Sequence, residues 1–181
     1  ALSQLPAIRK VYRVPAFREH GHDFPIPEVS TNNLPDSDEN PDKICYLAFT
    51  SGTTGTPKCV MHSDNTLLAN ARDMVRDWNH DAHSRLLSLS PLSHHIAWVG
   101  IAQWLLFSGE FVTDDPPEGM SKLDWILETE PTYIMGVPTH AMDMLAEMRQ
   151  RGLDRMGTVQ VFYMAGAPIP PACLLYTSDA A

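Results

Sequence analysis

From Ile44 to Met164 the chain alternates short apolar runs rich in β-formers with longer segments whose apolar residues recur at helical spacing. Five runs have strand character: ICYLAFT (44–50), RLLSLS (85–90), EFVT (110–113), TYIMGV (132–137) and VQVFYM (159–164). The first is largely apolar, as a strand covered on both faces would be. Four helical patterns separate them. Leu67, Leu68, Ala71, Met74, Val75 and Trp78 share one helical face, opposite Arg72, Asp73, Arg76 and Asp77. Ile96 to Phe107 reads as a buried helix ended by Ser108-Gly109. Ser121 can cap a third helix over Leu123, Trp125, Ile126 and Leu127, which breaks at Pro131. A fourth, after Pro138-Thr139, is expected to bury Met142, Leu145 and Met148 before Gly152. Such β-α-β units force a parallel sheet with right-handed crossovers, so the expected fold is α/β, a mostly parallel sheet with flanking helices. In sheets of this kind ligands bind outside the carboxyl ends of the strands, which is where each motif below is expected to lie.

Composition narrows the partners. The 181 residues carry 22 acids against 13 Lys and Arg, a formal net charge of -9. That balance disfavours long-range attraction to nucleic acid or an anionic membrane, so any phosphate must be held locally. The longest apolar run, Ile96 to Phe107, falls short of the roughly 18–20 residues that cross a bilayer. Cys45, Cys59 and Cys173 are odd in number and lack Cys-x-x-Cys spacing, which argues against a disulfide framework and a zinc site and favours a reducing cytoplasm. No basic, apolar and small-residue leader opens the chain. It starts in what reads as mid-domain sequence and stops without a closing element, and we expect a segment of a larger domain.

The stretch FTSGTTGTPK, Phe49 to Lys58, follows the first strand. Alone it reads better as a hydroxyl-rich linker than as a phosphate loop. As a phosphate loop, Gly52 and Gly55 let backbone N–H groups turn toward oxygens, while Thr50, Ser51, Thr53, Thr54 and Thr56 add hydroxyl donors. Lys58 supplies charge and Pro57 stiffens the exit. The preceding strand, the Pro-Lys ending and the helix that follows favour the phosphate loop. It is not a Walker loop, because Pro57 stands where the second Gly belongs, and no Gly-x-Gly-x-x-Gly occurs.

LAFTSGTTGTPK (47–58) resembles the AMP-binding signature of the adenylate-forming superfamily, which includes acyl-CoA synthetases, luciferases and peptide-synthetase adenylation domains. Cys59 departs from the family's usual Gly. SPLSHH (90–95) resembles the family's Pro-x-x-His element, with Pro91 and His94 in the matching places. MAGAPIP (164–170) resembles its Gly-Gly-Ala-Pro-Leu segment, with Ala165 in place of the first Gly, and GVPTH (136–140) resembles its Val-Pro-Pro/Thr turn. The resemblance implies that Thr50, Ser51, Gly52, Thr53, Thr54, Gly55, Thr56 and Lys58 hold ATP phosphates. It further implies that His94 gates the acyl carboxylate and that Gly166, Ala167 and Pro168 line the adenine and acyl pocket. His95, His80 and His83 are read as structural or surface imidazoles, and Trp98 and Trp104 more as core than as acyl pocket.

The implied organisation is an incomplete N-terminal segment with an acidic Pro/Asn-rich connection (1–42), part of an AMP-binding domain (43–170) and a non-family tail (171–181). The implied reaction joins a fatty or other organic acid to ATP, releases pyrophosphate, and passes the acyl group to CoA. The family's Tyr-Gly-x-Thr-Glu segment, whose Glu handles Mg²⁺, and its C-terminal lysine do not occur here, so the metal ligand is expected outside this chain and little turnover is expected from it alone. Alternatives are loading of a carrier protein, a luciferase-like oxidation, or a non-catalytic nucleotide-binding module. No nucleic-acid partner and no transmembrane segment are expected.

Overall fold

The computed structural model describes residues 39–50, 57–169 and 171. Its elements all lie in one compact unit, Asn40–Ala181.

Local sequence sets where the helices start and stop. Ser63 Oγ accepts the Thr66 amide while Thr66 Oγ1 accepts the Ser63 amide at 3.0 Å, a reciprocal cap that opens α1 (Asp64–Asp77). α2 (His95–Phe107) closes on Ser108 in the left-handed region at φ 59°. Ser121 Oγ accepts the Asp124 amide at 3.0 Å to start α3 (Lys122–Thr129), and α4 (Pro138–Arg151) opens on a proline and ends at Gly152, φ 64°. The strands are β1 (Ile44–Thr50), β2 (Lys58–Ser63), β3 (Arg85–Ser88), β4 (Glu110–Thr113), β5 (Tyr133–Gly136) and β6 (Val161–Met164).

β3, β4, β5 and β6 form a parallel sheet in the order β4-β3-β5-β6. The chain thus moves from β3 out to β4, then reverses past β3 to β5 and on to β6. With crossovers of one hand, that reversal carries the connecting helix to the other face. The core divides accordingly. On one side Leu86, Tyr133 and Met135 pack with Phe107 of α2 and Met74 of α1. On the other, Leu87, Leu89 and Ile134 pack with Leu123 and Ile126 of α3 and Met144 and Met148 of α4. Neighbouring strand residues point to opposite faces, both faces of the central strands β3 and β5 are covered, and Leu86–Leu87 and Tyr133–Met135 therefore read as unbroken apolar runs. Burying each of these side chains contributes roughly 1.5–3 kcal/mol before chain entropy is set against it. α2 comes closest at Gly100, where a Cβ would lie 3.2 Å from Phe111 and 3.3 Å from Leu86.

The α/β architecture agrees with the sequence reading; the first strand does not. β1 is no member of the parallel sheet. It pairs antiparallel with β2, a strand the sequence reading missed, in a separate two-stranded sheet. Nor is it covered on both faces: Leu47 is 52% and Phe49 70% exposed. α2 is half-buried instead of buried, turning Ala97, Gly100, Ala102, Gln103 and Phe107 inward and leaving Trp98, Trp104, Leu105 and Leu106 exposed. In α4 the buried methionines are Met144 and Met148, whereas Met142 lies outside, because the four-residue step from 144 to 148 keeps one helical face and 142 sits off it.

Candidate functional site

β3 and β5 are neighbours, yet the helices that follow them, α2 and α4, leave to opposite faces. Such a switch point opens a crevice at the carboxyl ends of the two strands. The strands are held together there by the Leu89 amide, which donates to the Met135 carbonyl at 2.9 Å. From this edge the two loops diverge, one through Ser90 and Pro91 to His94, the other through Val137 to His140.

His94 is the N-cap residue of α2. Its amide donates to the Pro91 carbonyl at 2.8 Å, its side chain makes no capping bond, and it is exposed. A ring left out of the cap is free to meet a ligand, and the helix start beside it favours negative charge. On the other loop the Val137 amide donates to His140 Nδ1 at 3.4 Å. Burial, then the nearby Lys122 ammonium, lowers the His140 pKa, so this ring is neutral near pH 7. Lys122 itself pairs with Asp114, which follows β4. Gly136 permits this packing, since a Cβ there would meet His140 Nδ1 at 3.1 Å.

Gly166, two residues past β6, has φ +86°, a conformation that L side chains rarely adopt. It is exposed with Ala167 and Pro168, and the Ala165 amide before it donates to the Gly136 carbonyl at 3.1 Å. The Gly-Ala-Pro turn is thereby tied to the end of β5.

The phosphate-loop motif sits elsewhere than expected. It joins two antiparallel strands instead of leading from a parallel strand into a helix. Thr50 ends β1, Lys58 begins β2, and the two are cross-strand partners, both exposed. Ser51, Gly52, Thr53, Thr54, Gly55 and Thr56 lie outside the described residues. Among the described residues there is no group of three or more His, Cys, Asp or Glu that could hold a metal ion. No helix among them is long and apolar enough to cross a membrane.

The sequence reading passed over a ring cluster beside His94. The His62 and His95 rings stack with centroids 4.9 Å apart and planes 14° apart, and Tyr46 lies 5.6 Å from His95 and 5.8 Å from His62. The doubled histidine after Pro91 was the visible signal, but its partner is 33 residues away on β2, as the numbers 62 and 95 show. Trp98 joins the cluster, tilted against Tyr46 at 5.3 Å, while Trp104 Nε1 donates to the Gly109 carbonyl at 2.9 Å. Neither tryptophan is plain core.

A family model described as "AMP-binding enzyme" matches residues 4–177. A 4-chlorobenzoate–CoA ligase from Pseudomonas sp. (strain CBS-3) is 26% identical over 152 residues, 82% of this chain and 29% of the relative. The human long-chain-fatty-acid–CoA ligase ACSBG1 is 34% identical over 139 residues, covering 71% of this chain and 18% of the relative. The fold matches the inhibitor-bound N-terminal domain of FACL13 from Mycobacterium tuberculosis with a TM-score of 0.68 at 21% identity, over 80% of this chain and 36% of that one. The chain therefore spans less than a third of the length of either curated relative.

Proposed function

The chain belongs to the family of AMP-binding enzymes, and from that premise we propose that the protein carrying it activates a carboxylic acid with ATP and transfers the acyl group to CoA. In the first step a carboxylate oxygen attacks the α-phosphorus of ATP. The new O–P bond gives an acyl-adenylate, and the bond to the β-phosphate breaks to release pyrophosphate. In the second step a thiol attacks the acyl carbonyl, and AMP leaves. Phosphoryl and nucleotidyl transfer of this kind depends mainly on positioning and charge neutralisation. In our reading the loop from Thr50 through Ser51, Gly52, Thr53, Thr54, Gly55 and Thr56 to Lys58 holds the departing phosphates. His94, at the mouth of the β3/β5 crevice, meets the substrate carboxylate, and the backbone of Gly166, Ala167 and Pro168 lines the adenine and acyl pocket. Mg²⁺, which would neutralise phosphate charge when bound, is assigned no ligand among the described residues, and none of these roles depends on it.

The observation that carries the reading is the family match over residues 4–177, together with curated relatives named as CoA ligases. Those relatives favour CoA over a carrier protein as acceptor. A peptide-synthetase structure, FmoA3, shares the fold with a TM-score of 0.65 at 23% identity, which leaves carrier loading as the second reading. We place the protein in a reducing cytoplasm, a reading that rests on the number and spacing of its cysteines.

The test is carboxylate-dependent pyrophosphate release by the whole enzyme, with octanoate, palmitate, benzoate, anthranilate and ferulate as the panel. Release with at least one acid, followed by a CoA thioester, is expected. Binding of ATP without release for any acid would instead select a non-catalytic nucleotide-binding module. We expect the 181-residue chain alone to give no carboxylate-dependent pyrophosphate release above background.

A further inference from the structure

The β1–β2 hairpin shares no strand pairing with the parallel sheet, so its position depends on its contacts with the helices. A two-stranded hairpin is marginal by itself. Its foot is tied to the start of α1, where the Asn65 amide donates to the Pro41 carbonyl at 3.1 Å and Asn65 Nδ2 to Asp42 Oδ1 at 2.7 Å. Its link to α2 is the ring cluster. Tyr46 comes from β1, His62 from β2, and His95 and Trp98 from the first turns of α2. His95 is also the residue after His94.

We propose that His62 and His95 are positioning residues: stacked with Tyr46, they clamp the β1–β2 hairpin to the start of α2, and so fix Thr50 and Lys58, its last cross-strand pair, relative to His94. The inference rests on the assignment of the loop and His94 to adenylation. It makes the grip on ATP and the grip on the acid two ends of one clasp.

The clasp has a built-in sensitivity to protons. The titratable groups that face it are Tyr46 on β1, His62 on β2 and His94 beside it. At the foot of the hairpin the Cys45 thiol bonds Asp64 Oδ1 of α1 at 3.2 Å, and His62 Nδ1 lies 3.5 Å from Thr66 Oγ1. His95 Nδ1 is buried with no hydrogen-bond partner among the described residues. Burial, and then the neighbouring His62 and His94, lower the His95 pKa from its ordinary 6.5. The sign follows for His95: its neutral ring belongs to the clasped state, and acid opposes that state because the free ring takes a proton the stacked ring resists.

The test measures KM and kcat of the whole enzyme with ATP and the best acid of the panel, from pH 5.5 to 8, alongside thermal stability. His95→Ala and His62→Ala should raise KM for the acid roughly tenfold at pH 7.5 with a smaller change in kcat, since loosened geometry weakens binding of the poised substrate. His95→Phe and His62→Phe keep a stackable ring and should restore KM to within about threefold. Wild-type KM should climb below pH 6.5, and the climb should flatten in the phenylalanine variants. Alanine variants with KM within twofold of wild type, or phenylalanine variants with the wild-type acid limb, would overturn the proposal. If no acid supports release, the ligase assignment fails, and imidazole NMR of the 181-residue chain still judges the clasp. The His95 ring should titrate below 6.5 and move upward in His62→Phe; a His95 titration indifferent to that substitution would refute the stack.

Discussion

Thr50 and Lys58 face each other as cross-strand partners, the last pair before the hairpin gives way to the loop between them. The pairing fixes both ends of the phosphate-loop motif while keeping the lysine exposed. A charge-assisted contact from Lys58 to a phosphate is worth about 1.5–3 kcal/mol, so Lys58→Ala should raise KM for ATP by roughly 10- to 150-fold. Because the side chain supports no core contact, the melting temperature should stay unchanged. An altered melt with an unchanged KM would assign Lys58 to stability instead.

Two glycines should respond differently to alanine, for different reasons. At Gly166 there is room, with Val137 Cγ1 at 3.6 Å from an added Cβ, but φ is +86°. The cost there is backbone strain of about 1–2 kcal/mol. At Gly109 an added Cβ would sit 2.2 Å from the Ser84 carbonyl oxygen, the same oxygen that accepts the Glu110 amide at 3.0 Å. That clash involves backbone and cannot relax by a rotamer change, so Gly109→Ala should destabilise more than Gly166→Ala in denaturant titration. Activity should show the reverse emphasis, because only Gly166 lies in the proposed pocket.

Asp124 and Arg151 should shape the acid limb of stability. Arg151 Nη1 reaches Asp124 Oδ1 at 2.5 Å, joining the end of α4 to the first turn of α3, and Arg151 also pairs with Glu147. The guanidinium, with help from Ser121, holds the Asp124 carboxyl down at about 2 against an ordinary 3.8. A depressed carboxylate contributes stability that is complete above its unfolded value and is lost as pH falls through its folded one. Stability should therefore drop between about pH 4 and 2, and Asp124→Asn should flatten that part of the curve. Melting temperature against pH for the two proteins checks this.

Tyr133 offers a test of a different kind. Its ring is buried at 2% exposure, and its hydroxyl has no hydrogen-bond partner among the described residues. Burial pushes its pKa up, so the group stays neutral throughout the working range. Removing an unsatisfied buried hydroxyl relieves a desolvation penalty, and Tyr133→Phe should be neutral or stabilising by up to about 1 kcal/mol. A loss of more than that in denaturant titration would mean the hydroxyl is satisfied in solution.

Sequence was most informative where local physics decides structure. Ser121 announced the start of α3, Gly152 the end of α4, and the apolar runs at 85–90 and 132–137 the two central strands. β1 and β2 were harder. ICYLAFT has the same unbroken apolar character as a doubly covered strand, yet Phe49 is 70% exposed, because a short apolar run does not specify its pairing partner. KCVMHS, which became β2, mixes Lys, Cys and His with a single β-former, Val60, and carries no strand signal strong enough to stand out. At the candidate site, the positions of His94 and Gly166 beyond the ends of β3 and β6 were legible through motifs that mark strand ends. The partnership of His62 with His95 was not, since it exists only once a separate hairpin lies against α2.

The most direct measurement is carboxylate-dependent pyrophosphate release by the whole enzyme, comparing wild type, Lys58→Ala and His94→Ala on the same panel of acids. The account predicts release with at least one acid, loss of ATP affinity in Lys58→Ala, and loss of acid affinity in His94→Ala with ATP affinity kept. Release that is absent for every acid, or that both variants leave unchanged, would contradict it.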